Sequence, residues 1–295
     1  MVKTFLRSKE NQTMCWTWAL LLLLMFASYL QTRRHWNFEN AKNTDGSDVF
    51  ITIKTSRIFH NTRVRCILET WFKLAPDNIY FITDTADPIL SNKTNDHLIS
   101  TPCRGGSHGI NALLCKLTAE LLAYSETSRR WFCHFDDDNY VNLFALRELL
   151  DTMDPRGDHY IGKKSLSHPM GYDLTSPFWF GTGGAGFCLS RALFNKIMPY
   201  LVRGYRLKGR LPDDVMVGHL VHIVHAKLNE IDRFHSHLEK GSPEWTRGTA
   251  RQQISFSHLY DVKEKTCPFR KLHCFLFPDD ALCTPVKNDQ IKGLR

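Results

Sequence analysis

Trp131-Phe-Cys-His-Phe-Asp136-Asp137-Asp138-Asn139-Tyr140 decides how the rest of the chain is read. Five residues of near-continuous apolar character run straight into three consecutive carboxylates. The apolar part has the character of a strand buried on both faces, as strands of a parallel sheet in an α/β protein are. Ligands of such sheets sit in the crevice beyond the carboxyl ends of the strands, and here that end presents negative charge. Three adjacent Asp side chains repel one another, so a clefted triplet needs a cation or positive side chains to offset it. Mg²⁺ or Mn²⁺ suits the arrangement, completing its oxygen shell with substrate phosphates. The competing reading is a solvated acidic turn that caps the following helix.

The chain has 295 residues, 43% hydrophobic and 23% charged, enough for one large domain or two small ones. Its net charge of +8 suits an anionic substrate such as a nucleotide and is too weak to argue for nucleic acid. Thr13 to Leu30 carries no charge and falls at the short end for a membrane span. No small-x-small cleavage pattern follows it, which favours a retained anchor over a cleaved signal peptide. Lys3, Arg7 and Lys9 precede the run and Arg33 and Arg34 follow it, a weak vote for a cytoplasmic N-terminus. The expected organisation is a cytoplasmic tail over 1–12, a signal-anchor over 13–30, a short stem over 31–47 and a luminal domain over 48–295. Of nine cysteines, Cys15 lies in the anchor and the other eight form no C-x-x-C pair. That argues for disulfides in an oxidising compartment rather than a zinc site. Cys103/Cys115 and Cys274/Cys283 are near enough in sequence to close local loops. Asn92-Lys-Thr94 is a glycosylation acceptor of a luminal chain.

Asp48-Val-Phe-Ile-Thr-Ile-Lys54 is a first strand, and Val64, Ile67, Leu68, Trp71 and Phe72 form a helical stripe over Phe59 to Leu74. Asn78–Thr83 is a second strand and His97–Thr101 a third. A helix from about Ile110 to Ser125 leads to the acidic strand, after which Asn142 caps another helix. This βαβαβ succession is that of a nucleotide-binding α/β domain. Downstream, His159–Gly162 is a short strand, and Phe178-Trp-Phe-Gly-Thr-Gly-Gly-Ala-Gly-Phe-Cys188 is either a packing turn or a place where backbone approaches a ligand. It lacks the Lys-Ser/Thr ending of a P-loop. A helix over Arg191–Leu201 precedes a basic loop with Arg203, Arg206, Lys208 and Arg210. Leu211-Pro-Asp-Asp214 opens a helix expected to run to about Leu228, where an Asp either caps the first turn or faces the cleft as a general base. His219, His222 and His225 recur on it as a polar face or as a metal-binding set. In Phe234-His-Ser-His237 one imidazole is a candidate metal ligand. Ile254–Tyr260 is a last strand.

Together, the acidic strand running on to Asn142, the Gly-rich stretch, Leu211–Asp214 and Phe234-His-Ser-His-Leu-Glu239 closely resemble the Fringe glycosyltransferases. Asp48–Thr55, Phe59-His60 and Thr70-Trp71 fit the same family, and the likeness runs from residue 48 to about 285. It implies a GT-A fold with a Rossmann-like nucleotide-sugar domain, carried by a type II single-pass Golgi membrane protein. It also implies transfer of N-acetylglucosamine from UDP-GlcNAc in β1,3 linkage to O-linked fucose on EGF-like repeats, notably those of Notch-type receptors, with Mn²⁺. By position the resemblance makes Asp138 and His237 metal ligands, Asp214 the catalytic base, and Arg63 and Asp137 substrate contacts. It pairs Cys103 with Cys115, Cys133 with Cys188 and Cys274 with Cys283. Cys66 and Cys267 have no family partners and pair with each other or stay free. Val215 and Met216 depart from the family's usual Cys-Thr, and Lys164–Phe178 and Arg191–Leu211 are shortened. A related β1,3-galactosyl- or glucosyltransferase is the alternative, and a non-catalytic sugar-binding protein the other. Neither the metal-binding nor the base position is lost.

Overall fold

Strand β1 (Val49–Lys54) is built from Val-Phe-Ile-Thr-Ile-Lys, with every residue after Val49 buried. The computed structural model describes residues 48–105, 109–164, 166–171, 176–201, 211–237, 245–257, 267–283 and 290–291. The expected tail, anchor and stem lie outside these, as do the basic loop over 202–210 and the end of the expected strand at Tyr260. Among the described residues no helix is long and apolar enough to cross a membrane.

From β1 the chain enters a run of short turns that includes α1 (Arg65–Glu69), then forms β2 (Ile79–Thr83), α2 (Pro88–Lys93), β3 (Leu98–Ser100) and α3 (Ile110–Ser125). The acidic strand follows as β4 (Trp131–Asp136), then β5 (Asn139–Val141), α4 (Leu143–Asp151), β6 (Tyr160–Gly162), β7 (Phe187–Ser190) and α5 (Arg191–Ile197). The remainder is α6 (Asp213–Ile223), β8 (Leu228–Glu230), β9 (Trp245–Thr246), α7 (Arg247–Arg251), β10 (Ser255–Ser257), α8 (Pro268–Leu276) and β11 (Gln290–Ile291). A seven-stranded mixed sheet runs in the order β3-β2-β1-β4-β7-β6-β8. The first four strands are parallel, as their continuous apolar character implied, while β7 is antiparallel to both β4 and β6. The chain moves outward from β1 through β2 to β3 and then crosses back to β4. The sheet's switch point therefore lies between β1 and β4, where ligands of such sheets bind.

Alternation along β1 and β4 divides their side chains between two faces. Ile51, Ile53, Cys133 and Phe135 join Trp71, Tyr140, Phe256 and α8 in one core. On the other face Phe50 and Phe132 pack with Tyr124 of α3. That face turns polar toward the carboxyl ends, where Thr52 lies opposite His134 and Lys54 opposite Asp136.

Three elements depart from the sequence reading. The stripe over Phe59–Leu74 is not one helix: 3-10 turns at Arg57–Phe59 and Trp71–Leu74 flank a π-turn at His60–Val64 and α1. Thr70 closes α1 by donating its hydroxyl to the Cys66 carbonyl at 2.7 Å. The helix begun at Asp213 ends at Ile223 rather than Leu228, because His225 takes a left-handed φ of 62° and sends the chain into β8. The C-terminal half of Arg191–Leu201 tightens into a 3-10 turn at Met198–Tyr200. The three disulfides implied by the resemblance are all present, and Cys66 and Cys267 form a fourth. Cys133–Cys188 joins directly opposed residues of β4 and β7, with Cα atoms 4.1 Å apart.

Candidate active site

Asp136 closes β4, Asp137 and Asp138 make the turn, and Asn139 opens β5. The triplet is therefore a tight reversal between two strands. Helix α4 is capped by Asn142, whose side chain accepts from the Ala145 amide at 3.4 Å, so the acidic residues are not its cap. The Asn139 side chain fixes the reversal from both ends: its Oδ1 accepts from the Asp136 amide at 3.0 Å, and its Nδ2 donates to the Gly184 carbonyl at 2.9 Å.

The three carboxylates have different surroundings. Asp137 accepts from Thr55 Oγ1 at 2.7 Å and from Arg63 at 2.8 Å, and the Arg63 guanidinium lies 4.0 Å from the Phe59 ring centroid. Asp136 meets Lys54 Nζ at 3.1 Å and His134 Nε2 at 3.7 Å. Burial pushes its pKa up, but these two cations outweigh burial and hold it below the usual carboxylate range. Among the described residues Asp138 meets Arg63 at 3.7 Å, feels the more distant charge of Lys54, and has its Oδ1 buried without a hydrogen-bond partner. Burial, then the charges of Asp136 and Asp137, push its pKa up to about 8. A buried, unsatisfied carboxylate oxygen beside two other carboxylates is suited to a cation.

Asp213 and Asp214 occupy the first turn of α6, after Pro212. Asp213 takes the Lys54 ammonium at 2.5 Å. Burial works against that ammonium, yet Asp136, Asp213 and Glu120 together keep it protonated, well above the usual lysine range. Asp214 accepts from the Gly183 amide at 3.1 Å and the Val215 amide at 2.8 Å. Burial, then the charge of Asp213, raises its pKa to about 6. Gly183 reaches it because the Gly-rich stretch turns at Gly183–Ala185 and leaves through Gly186 at φ 81°. His237 accepts or donates at Nδ1 to Ser257 Oγ, 3.1 Å away, the kind of contact that orients a ligating imidazole. Asp136, Asp137, Asp138, Gly183, Gly184, Asp213, Asp214, Arg63, Lys54 and His237 line one cleft of about 350 Å³ at the switch point.

The Fringe-like family pattern matches residues 44–279. The chain belongs to the Fringe-like family. It is 43% identical over 270 residues to the Drosophila melanogaster Fringe glycosyltransferase, an alignment covering 82% of this chain. The chain spans 65% of that protein's length. It is 35% identical to a β-1,3-N-acetylglucosaminyltransferase radical fringe of Notophthalmus viridescens, covering 81% of this chain and 67% of the relative. It is also 35% identical to a lunatic fringe of Danio rerio, at 83% and 72%. A solved glycosyltransferase involved in glycosylation of the major capsid of PBCV-1 is similar at 11% identity and a TM-score of 0.41, covering 72% of this chain and 96% of that one.

In this Fringe-like chain all five expected site residues, Arg63, Asp137, Asp138, Asp214 and His237, meet in the one cleft. The Gly-rich stretch is part of it, since Gly183 holds Asp214 and Gly184 holds Asn139. His222 instead bonds Ser176 at 2.9 Å and stacks on Phe178, and exposed His225 ends α6. Among the described residues no three His, Cys, Asp or Glu side chains form a metal cage. Asp138 and His237 offer a hard oxygen and an imidazole, a donor pair fit for Mn²⁺ if phosphate and water complete the shell. Sequence reasoning missed Lys54, Asp213, Thr55, and the Glu120–His134 pair behind them. Glu120 accepts at 2.6 Å from both Thr52 and His134. The available signal was a lysine ending an otherwise apolar central strand, where a charge is costly without a partner.

Proposed function

We propose that the chain is an inverting β-1,3-N-acetylglucosaminyltransferase of GT-A type, moving GlcNAc from UDP-GlcNAc to O-linked fucose on EGF-like repeats of Notch-type receptors and so modulating Notch signalling. The observation that carries the reading is the meeting of unsatisfied Asp138, His237 and Asp214 in one cleft at the β1/β4 switch point of a Fringe-like chain. Mn²⁺, held by Asp138 and His237, would neutralise charge building on the leaving diphosphate. Arg63 and Asp137 orient the donor from the β4 side. Asp214, with two amides on its carboxylate and a pKa of about 6, is ionised at neutral pH and placed to accept the fucose hydroxyl proton as that oxygen attacks the anomeric carbon. The proton passes to Asp214, the glycosidic bond to fucose forms, and the bond to UDP breaks with inversion. No covalent sugar–enzyme intermediate is needed.

The same reading puts the chain in the Golgi membrane as a type II protein, anchored by Thr13–Leu30 with residues 48–295 in the lumen. Asn92, exposed on α2, would carry an N-linked glycan there. The test is turnover of a UDP-sugar panel on O-fucosylated EGF repeats with Mn²⁺. UDP-GlcNAc should be the donor used and UDP released stoichiometrically. Preference for UDP-galactose or UDP-glucose would redirect the assignment to the related transferases, and no turnover of any donor would end it.

A further inference from the structure

Beneath the cleft, Lys54 ends β1 opposite Asp136 in the β1/β4 register, and it is only 8% exposed. Its ammonium lies 3.1 Å from Asp136, at the end of the strand leading to the metal-side turn, and 2.5 Å from Asp213, in the first turn of the helix carrying Asp214. One buried cation thus joins the two halves of the site. Among the described residues the N-cap of α6, Pro212, makes no side-chain cap bond; buried Leu211, Val215 and Met216 seat the helix start by packing, and the polar groups that fix its two carboxylates are Lys54 on Asp213 and the Gly183 amide on Asp214. Without the ammonium, Asp136 and Asp213 would confront each other as like charges at the partly buried floor of the cleft, and the helix start would be driven away from the strand.

We propose that Lys54 is a positioning residue for transfer, tying the first turn of α6 to the end of β4 and so fixing Asp214 against the donor. This rests on the reading of Asp214 as the base. Lys54 acts through Asp214, not on the donor, because its ammonium is already engaged by two carboxylates. Misplacing a reacting group by about 1 Å can cost on the order of 10²-fold in rate, which sets the expected size of the effect.

The experiment is steady-state transfer by the full chain with UDP-GlcNAc, Mn²⁺ and a fucosylated EGF repeat. Lys54→Met leaves two unpaired carboxylates and can fail to fold, so the charge-balanced pair Lys54→Met/Asp213→Asn carries the test. In it Asp136 keeps His134, and Arg63, Asp137 and Asp138 are untouched. Its thermal midpoint should stay close to that of the parent, while kcat falls about 10²-fold and donor KM changes by less than about twofold. Lys54→Arg, which keeps a cation, should recover most of that loss. In an Asp214→Asn background the same pair of substitutions should cost less than about threefold, since groups acting as a unit do not add. A pair variant with parental kcat would reduce Lys54 to a structural counter-ion and overturn the proposal. So would a rise in donor KM at unchanged kcat, which would put the ammonium on the diphosphate. A full further loss in the Asp214→Asn background, with Asp214→Asn itself crippled, overturns the Lys54 inference alone. Near-parental transfer by Asp214→Asn removes the base assignment, and Lys54 loses the residue it acts through.

Discussion

Asp138 and Asp214 line one cleft, and burial pushes both carboxyls up, yet their neighbours give them different work. Asp138 Oδ1 is buried and accepts no hydrogen bond among the described residues, so Asp138→Asn should weaken Mn²⁺-dependent UDP-GlcNAc binding and turnover together. Asp214→Asn keeps shape but has no basic oxygen to take a proton. Donor binding should survive while transfer falls by roughly 10²–10⁴-fold. Calorimetry of donor binding beside a turnover assay separates the two. The pH dependence follows from the same carboxyl. As the proposed base, Asp214 would work only when unprotonated, and its pKa stands at about 6, so kcat/KM should be flat above that pH. Below it the rate should fall, approaching tenfold per pH unit. The measurement is a pH–rate profile at saturating metal. An acid limb that persists unchanged in a slow Asp214→Asn variant would assign it to another group.

At the scale of the element, the Gly-rich stretch shows what sequence could and could not tell. Its glycines were legible as turn-makers, but not that one turn would hold both Asn139 and Asp214. Gly186 shows the constraint most sharply. At φ 81° a side chain is strained, and a Cβ there would lie 2.2 Å from the Phe135 ring and 2.9 Å from the His134 carbonyl. Gly186→Ala should destabilise the protein by about 2 kcal/mol or more, read as a lowered denaturation midpoint. A midpoint within error of the parent would show that β4 can yield. Strand β4 and helix α3 were readable because a continuous apolar run and a long periodic stripe each permit one solution. The segment from Arg57 to Leu74 was not. Its stripe marked Val64, Ile67, Trp71 and Phe72 correctly as buried, but periodicity does not register a π-turn that brings Arg63 to Asp137. Lys54 escaped notice for a similar reason, since its partners lie 82 and 159 residues away and only the folded sheet brings them together.

Over the whole molecule, the parallel β3-β2-β1-β4 half followed from the order of strands and helices in the sequence, and with it the place of the site. The β7-β6-β8 half did not follow, because pairings of short strands leave no local trace. The covalent frame divides in the same way. Two disulfides close short loops, whereas Cys66–Cys267 spans 201 residues and ties the start of α8 to α1. Replacing both cysteines by Ser should lower stability by about 2–5 kcal/mol, seen as a loss of denaturation midpoint. The kcat of the folded fraction should change little, because neither residue lines the cleft. A large fall in kcat at intact stability would show that this bridge shapes the site after all.

That long bridge also orders events in time. As the chain is made, Cys66 emerges and then waits for 201 further residues before its mate exists. At ribosomal speed the wait is about 10–40 s. Meanwhile Cys103, Cys115, Cys133 and Cys188 pass by in turn, each a partner the thiol must decline or later give up. The bond that closes the domain is therefore among the last to form, and a chain terminated anywhere short of residue 267 leaves Cys66 without its mate.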